Sequence, residues 1–137
     1  MTSVLKEWNP ENNPKSEDRV VPLVWRNEKG QIHRLDGPTR KTEHDEWWHK
    51  NGKSHRIGGP SISIPTGKHY YVEGKRHRID GPASDYLDGR KYWYINGVKY
   101  EPEEHPYNVF RSEHNISEDI NDWPKDKRML FKLIYGV

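Results

Sequence analysis

The chain has 137 residues, 31% hydrophobic and 32% charged, with a formal net charge of +2. That length suits one domain with at most a small appendage. The lack of cysteine excludes disulfides and thiolate chemistry, and no apolar run approaches the ~20 residues needed to cross a bilayer. Met1 to Trp8 lacks the apolar stretch of a signal peptide, so a soluble cytoplasmic protein is expected. Low hydrophobicity alone would suggest disorder. Six Trp and eight Tyr oppose that, because large rings in cross-strand ladders can hold a thin sheet over a shallow core.

Taken in chain order, residues 1–19 read as an irregular arm around Asn9-Pro10-Glu11-Asn12-Asn13-Pro14, with Val4, Leu5 and Trp8 available to tuck against the end of the strand region. Val20 to Trp25 suits a first strand, placed at an edge by Pro22. Trp47-Trp48-His49-Lys50 then leads into Asn51-Gly52, whose residue types tolerate the positive φ of a tight hairpin turn. Lys53 to Arg56 returns, Ile57-Gly58-Gly59-Pro60 bends the chain, and Ser61 to Ile64 alternates as a half-buried strand. Pro65-Thr66-Gly67 turns back into Lys68 to Val72, and the pattern recurs until Asp88-Gly89 precedes Tyr92 to Ile95. After Tyr100 the grammar stops. Ser117 is expected to open a short helical turn, and Asp122 to cap a helix from about Pro124 to Tyr135. Leu130, Phe131, Ile134 and Tyr135 would form its apolar side, with Met129 and Leu133 alongside. Such a helix would cap the end of the array.

The most informative feature is a motif at a fixed period. His33-Arg34-Leu35-Asp36-Gly37-Pro38, His55-Arg56-Ile57-Gly58-Gly59-Pro60 and His77-Arg78-Ile79-Asp80-Gly81-Pro82 succeed one another at steps of 22 residues. Each comes after an aromatic residue and a glycine, and Tyr92 to Gly97 is a truncated fourth copy at a glycine step of 23, its extra residue expected in the turn at 88–91. A period of this length predicts stacked supersecondary units. The expected architecture is mainly β, an antiparallel meander of tandem 22-residue hairpins with roughly seven or eight short strands. Its parts would be an arm (1–19), an array (20–100) and a helical cap (101–137). Residues 19–100 hold 16 Lys+Arg against nine Asp+Glu, while the rest of the chain holds seven against 12. A basic array between acidic flanks suits an anionic partner, unless the flanks fold back on it.

The Tyr/Trp-Tyr-x-Asn/Glu-Gly-Lys-x-His-Arg-x-Asp-Gly-Pro grammar of residues 24–100 resembles the MORN-type repeats, and more closely the His-Arg-x-Asp-Gly-Pro repeat proteins of bacteriophages and bacteria. The resemblance implies a single-layer or half-pipe sheet of the kind used for scaffolding, dimerisation or lipid contact. It also implies a phage-type accessory factor, acting in the host cytoplasm, that inhibits a host defence protein. Gly58 departs from the pattern, so Asp36 and Asp80 do something not needed in every unit.

Equivalent residues two strands apart stand about 9–10 Å from one another, too far for His33, His55 and His77 to share a metal. No metal or other cofactor is expected. Within one unit, Asp-Gly is turn chemistry, and Arg78 bonding Asp80, Asp36 or neighbouring carbonyls would lock the array. His77 near Asp80 would instead resemble half of an acid–base pair. Across units, Arg34, His55, Arg56, Arg76, His77 and Arg78 would form a basic ridge, with Trp48, Tyr70 and Trp93 beside it. Because adjacent aromatics point to opposite faces, one set is expected in the core and the other exposed. Exposed Tyr, Trp and Arg suit a protein partner. The same ridge would also suit nucleic acid or a nucleotide, and an open sheet edge would admit a homodimer.

Overall fold

The computed structural model describes the backbone of residues 4–6 and all of residues 24–137. Trp8 and the 20–23 part of the expected first strand lie outside the described residues. The fold is mainly β. β1 (Val4–Lys6) pairs antiparallel with β2 (Val24–Arg26), so part of the expected irregular arm is a strand. Then come β3 (Arg40–Lys41), β4 (Glu46–Trp47), β5 (His49–Lys50), β6 (Lys53–Ser54), β7 (Ile62–Ile64) and β8 (Gly67–His69). β9 (Tyr71–Val72), β10 (Lys75–Arg76), β11 (Ser84–Tyr86), β12 (Lys91–Ile95) and β13 (Val98–Tyr100) complete the strands. Seven of them form one antiparallel sheet in the order β13-β12-β11-β8-β7-β4-β3, while β5 pairs with β6 and β9 with β10 as separate two-stranded ribbons.

The strands are more numerous and shorter than the pattern suggested because the chain changes partners at an aromatic residue. Trp48 donates its N–H to Ser61 in the large sheet (2.7 Å) and accepts at its carbonyl from His55 in the ribbon (3.2 Å). Tyr70 does the same between Ala83 and His77, and Trp25 between Thr39 and His33. The turns of the two ribbons and the turn between β12 and β13 have positive φ at both central residues, Asn51/Gly52, Glu73/Gly74 and Asn96/Gly97, the geometry that matches strand twist. Each glycine N–H then reaches back one step, Gly52 to the Ile32 carbonyl, Gly74 to Ser54 and Gly97 to Arg76, at 2.8–2.9 Å.

The hydrophobic core lies at one end. Trp93, Tyr107, Phe110, Trp123 and Phe131 are buried together, with Ile79, Tyr100, Ile116, Ile120 and Tyr135 against them. Two helices build it where one was expected. α1 (Pro106–His114) runs through a segment that read as a break, because Pro106 occupies its first turn and His105 caps it. His105 Nδ1 accepts from the Tyr107 N–H, and Nε2 donates to the Arg78 carbonyl at 2.9 Å. Ser117 begins no helix. Its carbonyl instead receives Arg111 Nε and Trp123 Nε1. α2 (Lys125–Tyr135) is flanked by Pro124 at the N-cap position, while Asp122 lies in a preceding 3-10 turn capped by Asp119. Only one ridge of α2 packs inward, that of Phe131 and Tyr135. Met129, Leu130, Leu133 and Ile134 are exposed. Among the described residues no helix is long and apolar enough to cross a membrane.

Candidate functional site

The His-Arg segments prove to be bonded into the scaffold. Arg34, Arg56 and Arg78 lie over Trp25, Trp48 and Tyr70, with Cζ 4.3, 3.9 and 4.0 Å from the ring centroids. Each donates from its guanidinium to the proline carbonyl four residues on, at 3.1–3.2 Å. Arg34 and Arg78 also donate to Asp36 and Asp80. In the second unit, where Gly58 replaces the aspartate, the Glu46 carboxylate stands 3.7 Å from Arg56 and accepts from Trp48 Nε1. The glycine before the proline of each motif makes room: a Cβ on Gly37, Gly59 or Gly81 would come within 2.5–2.8 Å of the guanidinium carbon.

The histidines are spent in the same way. His33, His55 and His77 each accept at Nδ1 from the turn N–H of the next unit, that of Asn51, Glu73 and Asn96, at 2.9–3.0 Å. An imidazole that accepts at Nδ1 carries its proton on Nε2. Burial holds His55 and His77 below the ordinary imidazole range, against the pull of the Glu73 carboxylate in the case of His55. Trp93 is in the end core, stacked near Tyr107 and 4.9 Å from His105. Of the residues expected to bind, Arg34, Trp48, Arg56, Tyr70 and Arg78 are bonded or stacked within their own units, and His55 and His77 join one unit to the next. Trp93 is enclosed, and Arg76 stands apart on the other face.

That other face is built by the alternate residues of the same strands. Cross-strand neighbours Arg40, Trp47, Ile62, His69, Ser84 and Tyr92 form a row across the large sheet. Tyr86 meets both His69 and Tyr92 edge-on, at 5.2 and 5.9 Å. Trp47 is parallel to His49, with 6° between the planes and 6.4 Å between centroids. Arg76 sits between Tyr71, whose hydroxyl accepts from its Nε at 3.1 Å, and Tyr94, 5.3 Å from its Cζ. Lys99 lies 5.6 Å from the centre of Tyr92. Trp47, His49, Tyr71, Tyr86, Tyr92 and Tyr94 are half-buried and keep an open surface, while His69 is buried among them.

Charge divides between the two faces. The adjacent row, Lys41, Glu46, Ser63, Lys68, Asp85 and Lys91, points the opposite way and holds its own carboxylates, with Lys41–Glu46 at 4.0 Å and Lys91–Asp85 at 3.3 Å. Among the described residues, Arg26, Arg40, Arg76 and Lys99 make no ion pair. The Trp47 face is therefore aromatic and cationic, with uncompensated charge. Period-two alternation announced two faces, and the motif marks the one whose arginines and histidines are bonded into the scaffold. The signal for Trp47, Tyr71, Tyr92 and Tyr94 was their place next to the pivot aromatics. No group of three or more His, Asp or Glu side chains among the described residues is gathered to hold a metal. Comparison with models of known protein families, with curated proteins and with solved structures found no match.

Proposed function

We propose that this chain is a non-catalytic interaction protein, a set of MORN-like hairpin units laid side by side as a half-pipe that recognises a macromolecular partner. The observation that carries this reading is the division of labour between the faces. One uses its arginines, histidines and carboxylates on the scaffold, while the other presents half-buried Trp, Tyr and His beside cations without ion-pair partners. Aromatic and arginine side chains dominate binding energy where two macromolecules meet. Bonds that recur between units at steps of 22 residues support the repeat reading. They also keep equivalent side chains in rows, about 9–10 Å apart for every two strands, which suits extended contact better than convergence on one reacting atom. The resemblance to phage repeat proteins favours an accessory factor that binds and inhibits a host protein.

The test is capture from a bacterial lysate by the immobilised chain, beside a variant with Tyr71→Ser, Arg76→Ser and Tyr94→Ser. The wild type should retain a partner that the variant releases while its circular dichroism is unchanged. Equal capture by both, or none above the blank matrix, overturns the reading.

A further inference from the structure

The cationic face contains a cavity of about 430 Å³ between β2, β3, β4 and β5. Val24 and Ile32 supply aliphatic wall, Trp47 and His49 supply two parallel rings, and Arg26 and Arg40 supply charge. Among the described residues no carboxylate lines it. We propose that this cavity is a subsite for a nucleotide unit, its base laid against Trp47 and its phosphate held by Arg26 and Arg40. The assignment rests on the reading of this face as the recognition surface, and it gives that face a nucleotide ligand in addition to a protein partner.

The shape and charge select this ligand class. A cavity of ~300–1,000 Å³ takes one small molecule or one residue of a chain. A flat ring parallel to Trp47 is also parallel to His49, since their planes differ by 6°, so the wall favours a planar group over an aliphatic one. Two guanidinium groups beside that wall favour an anion, and Arg offers paired N–H donors that match phosphate geometry. Arg40 is exposed and makes no side-chain bond among the described residues, while Arg26 gives one N–H to the Gly30 carbonyl and keeps the others. An acidic peptide would satisfy the arginines but leave the ring wall unused. Stacking on aromatic side chains beside a cationic track is the usual means of holding single strands. Beyond the cavity, Tyr71, Tyr92 and Tyr94 extend the same face around Arg76 and Lys99, so further nucleotides of a strand would meet similar platforms.

The full chain is titrated at low salt with adenosine monophosphate, with a fluorescein-labelled single-stranded DNA of about a dozen bases and with polyglutamate of matched charge. Tryptophan fluorescence and label anisotropy report binding. The DNA should bind and quench tryptophan emission, its affinity falling with salt at a log–log slope of about −0.7 per phosphate engaged. Arg40→Glu should weaken it about tenfold and reduce the slope by about one phosphate, and Trp47→Leu should remove the quench. A saturable response to adenosine monophosphate with the same Arg40→Glu sensitivity extends the site to free nucleotides. Response to the DNA alone restricts it to strands. If neither nucleotide probe binds, or if binding ignores Arg40→Glu, the subsite is refuted. Arg40→Glu-sensitive binding of polyglutamate alone also refutes it, but leaves the recognition face in place. Should Trp47→Leu fail to fold, the exposed Arg40→Glu variant still decides the matter.

Discussion

Gly59→Ala is a small change aimed at the stacked arginine within one unit. The new Cβ would lie 2.8 Å from Arg56 Cζ, 2.9 Å from Nε and 3.1 Å from one terminal nitrogen. Gly59 is not in the left-handed region, so only space is at issue. The guanidinium must leave Trp48, 3.9 Å from its centre, and release the Pro60 carbonyl. A partly desolvated cation–π contact contributes about 1 kcal/mol, and a charge-assisted bond to a carbonyl about 1.5 kcal/mol. The reduced freedom of alanine in the unfolded chain offsets about 0.5 kcal/mol. The expected loss is about 2 kcal/mol, or roughly 5–10 °C in Tm for a domain of this size. Arg56→Ala should cost a similar amount by removing the same contacts. The decisive assay is a double-mutant cycle by urea denaturation. With Arg56 already gone the Cβ meets nothing it must displace, so the double variant should be about 0.5 kcal/mol more stable than Arg56→Ala, giving a coupling of about 2.5 kcal/mol. Additive losses would refute the stacked-arginine account.

The buried imidazoles set two further outcomes. Burial holds His49, His55, His69, His77 and His105 below their ordinary value of 6.5. The unfolded chain therefore binds protons first as the pH falls, so stability is full above about 6.5 and is lost as the pH drops through the folded values. The urea midpoint should be lower at about pH 5 than at about pH 7, and identical midpoints would contradict the neutral, accepting imidazoles. His105→Ala removes both the cap of α1 and the bond to Arg78 from a fully buried site. It should cost about 3 kcal/mol and loosen the end core, read as a red shift of Trp93 and Trp123 emission. His105→Asn, which can still cap, should recover part of that loss. Equal effects of the two substitutions would assign His105 a packing role only.

Much of the strand region could be read from residues close in sequence. Asn51-Gly52 and Asn96-Gly97 form the tight turns their residue types require, and Glu73-Gly74 does so although Glu73 must accept a φ of 50°. The extra residue of the last step sits in the turn after Tyr86, where Tyr86 and Arg90 pair across a longer loop. The helices were less legible. His105 is a rare cap, and its second bond runs to Arg78, 27 residues away, so no local pattern marks the start of α1. The apolar side of α2 was visible, but how much of it would be covered was not. That depended on which side chains of α2 met the core formed by Trp93, Tyr107, Phe110 and Trp123.

The candidate face shows the same division. Sequence alone determined that neighbouring aromatics such as Trp47 and Trp48 must face opposite ways, because a strand alternates at every residue. It also determined that Arg56 and its counterparts recur in register. Only the tertiary structure decided that Trp48 would be covered by its own arginine and that Trp47 would stay open beside unpaired cations. The choice depends on where a guanidinium eight residues further along the chain comes to rest, and on the missing Cβ of Gly59 that leaves it room.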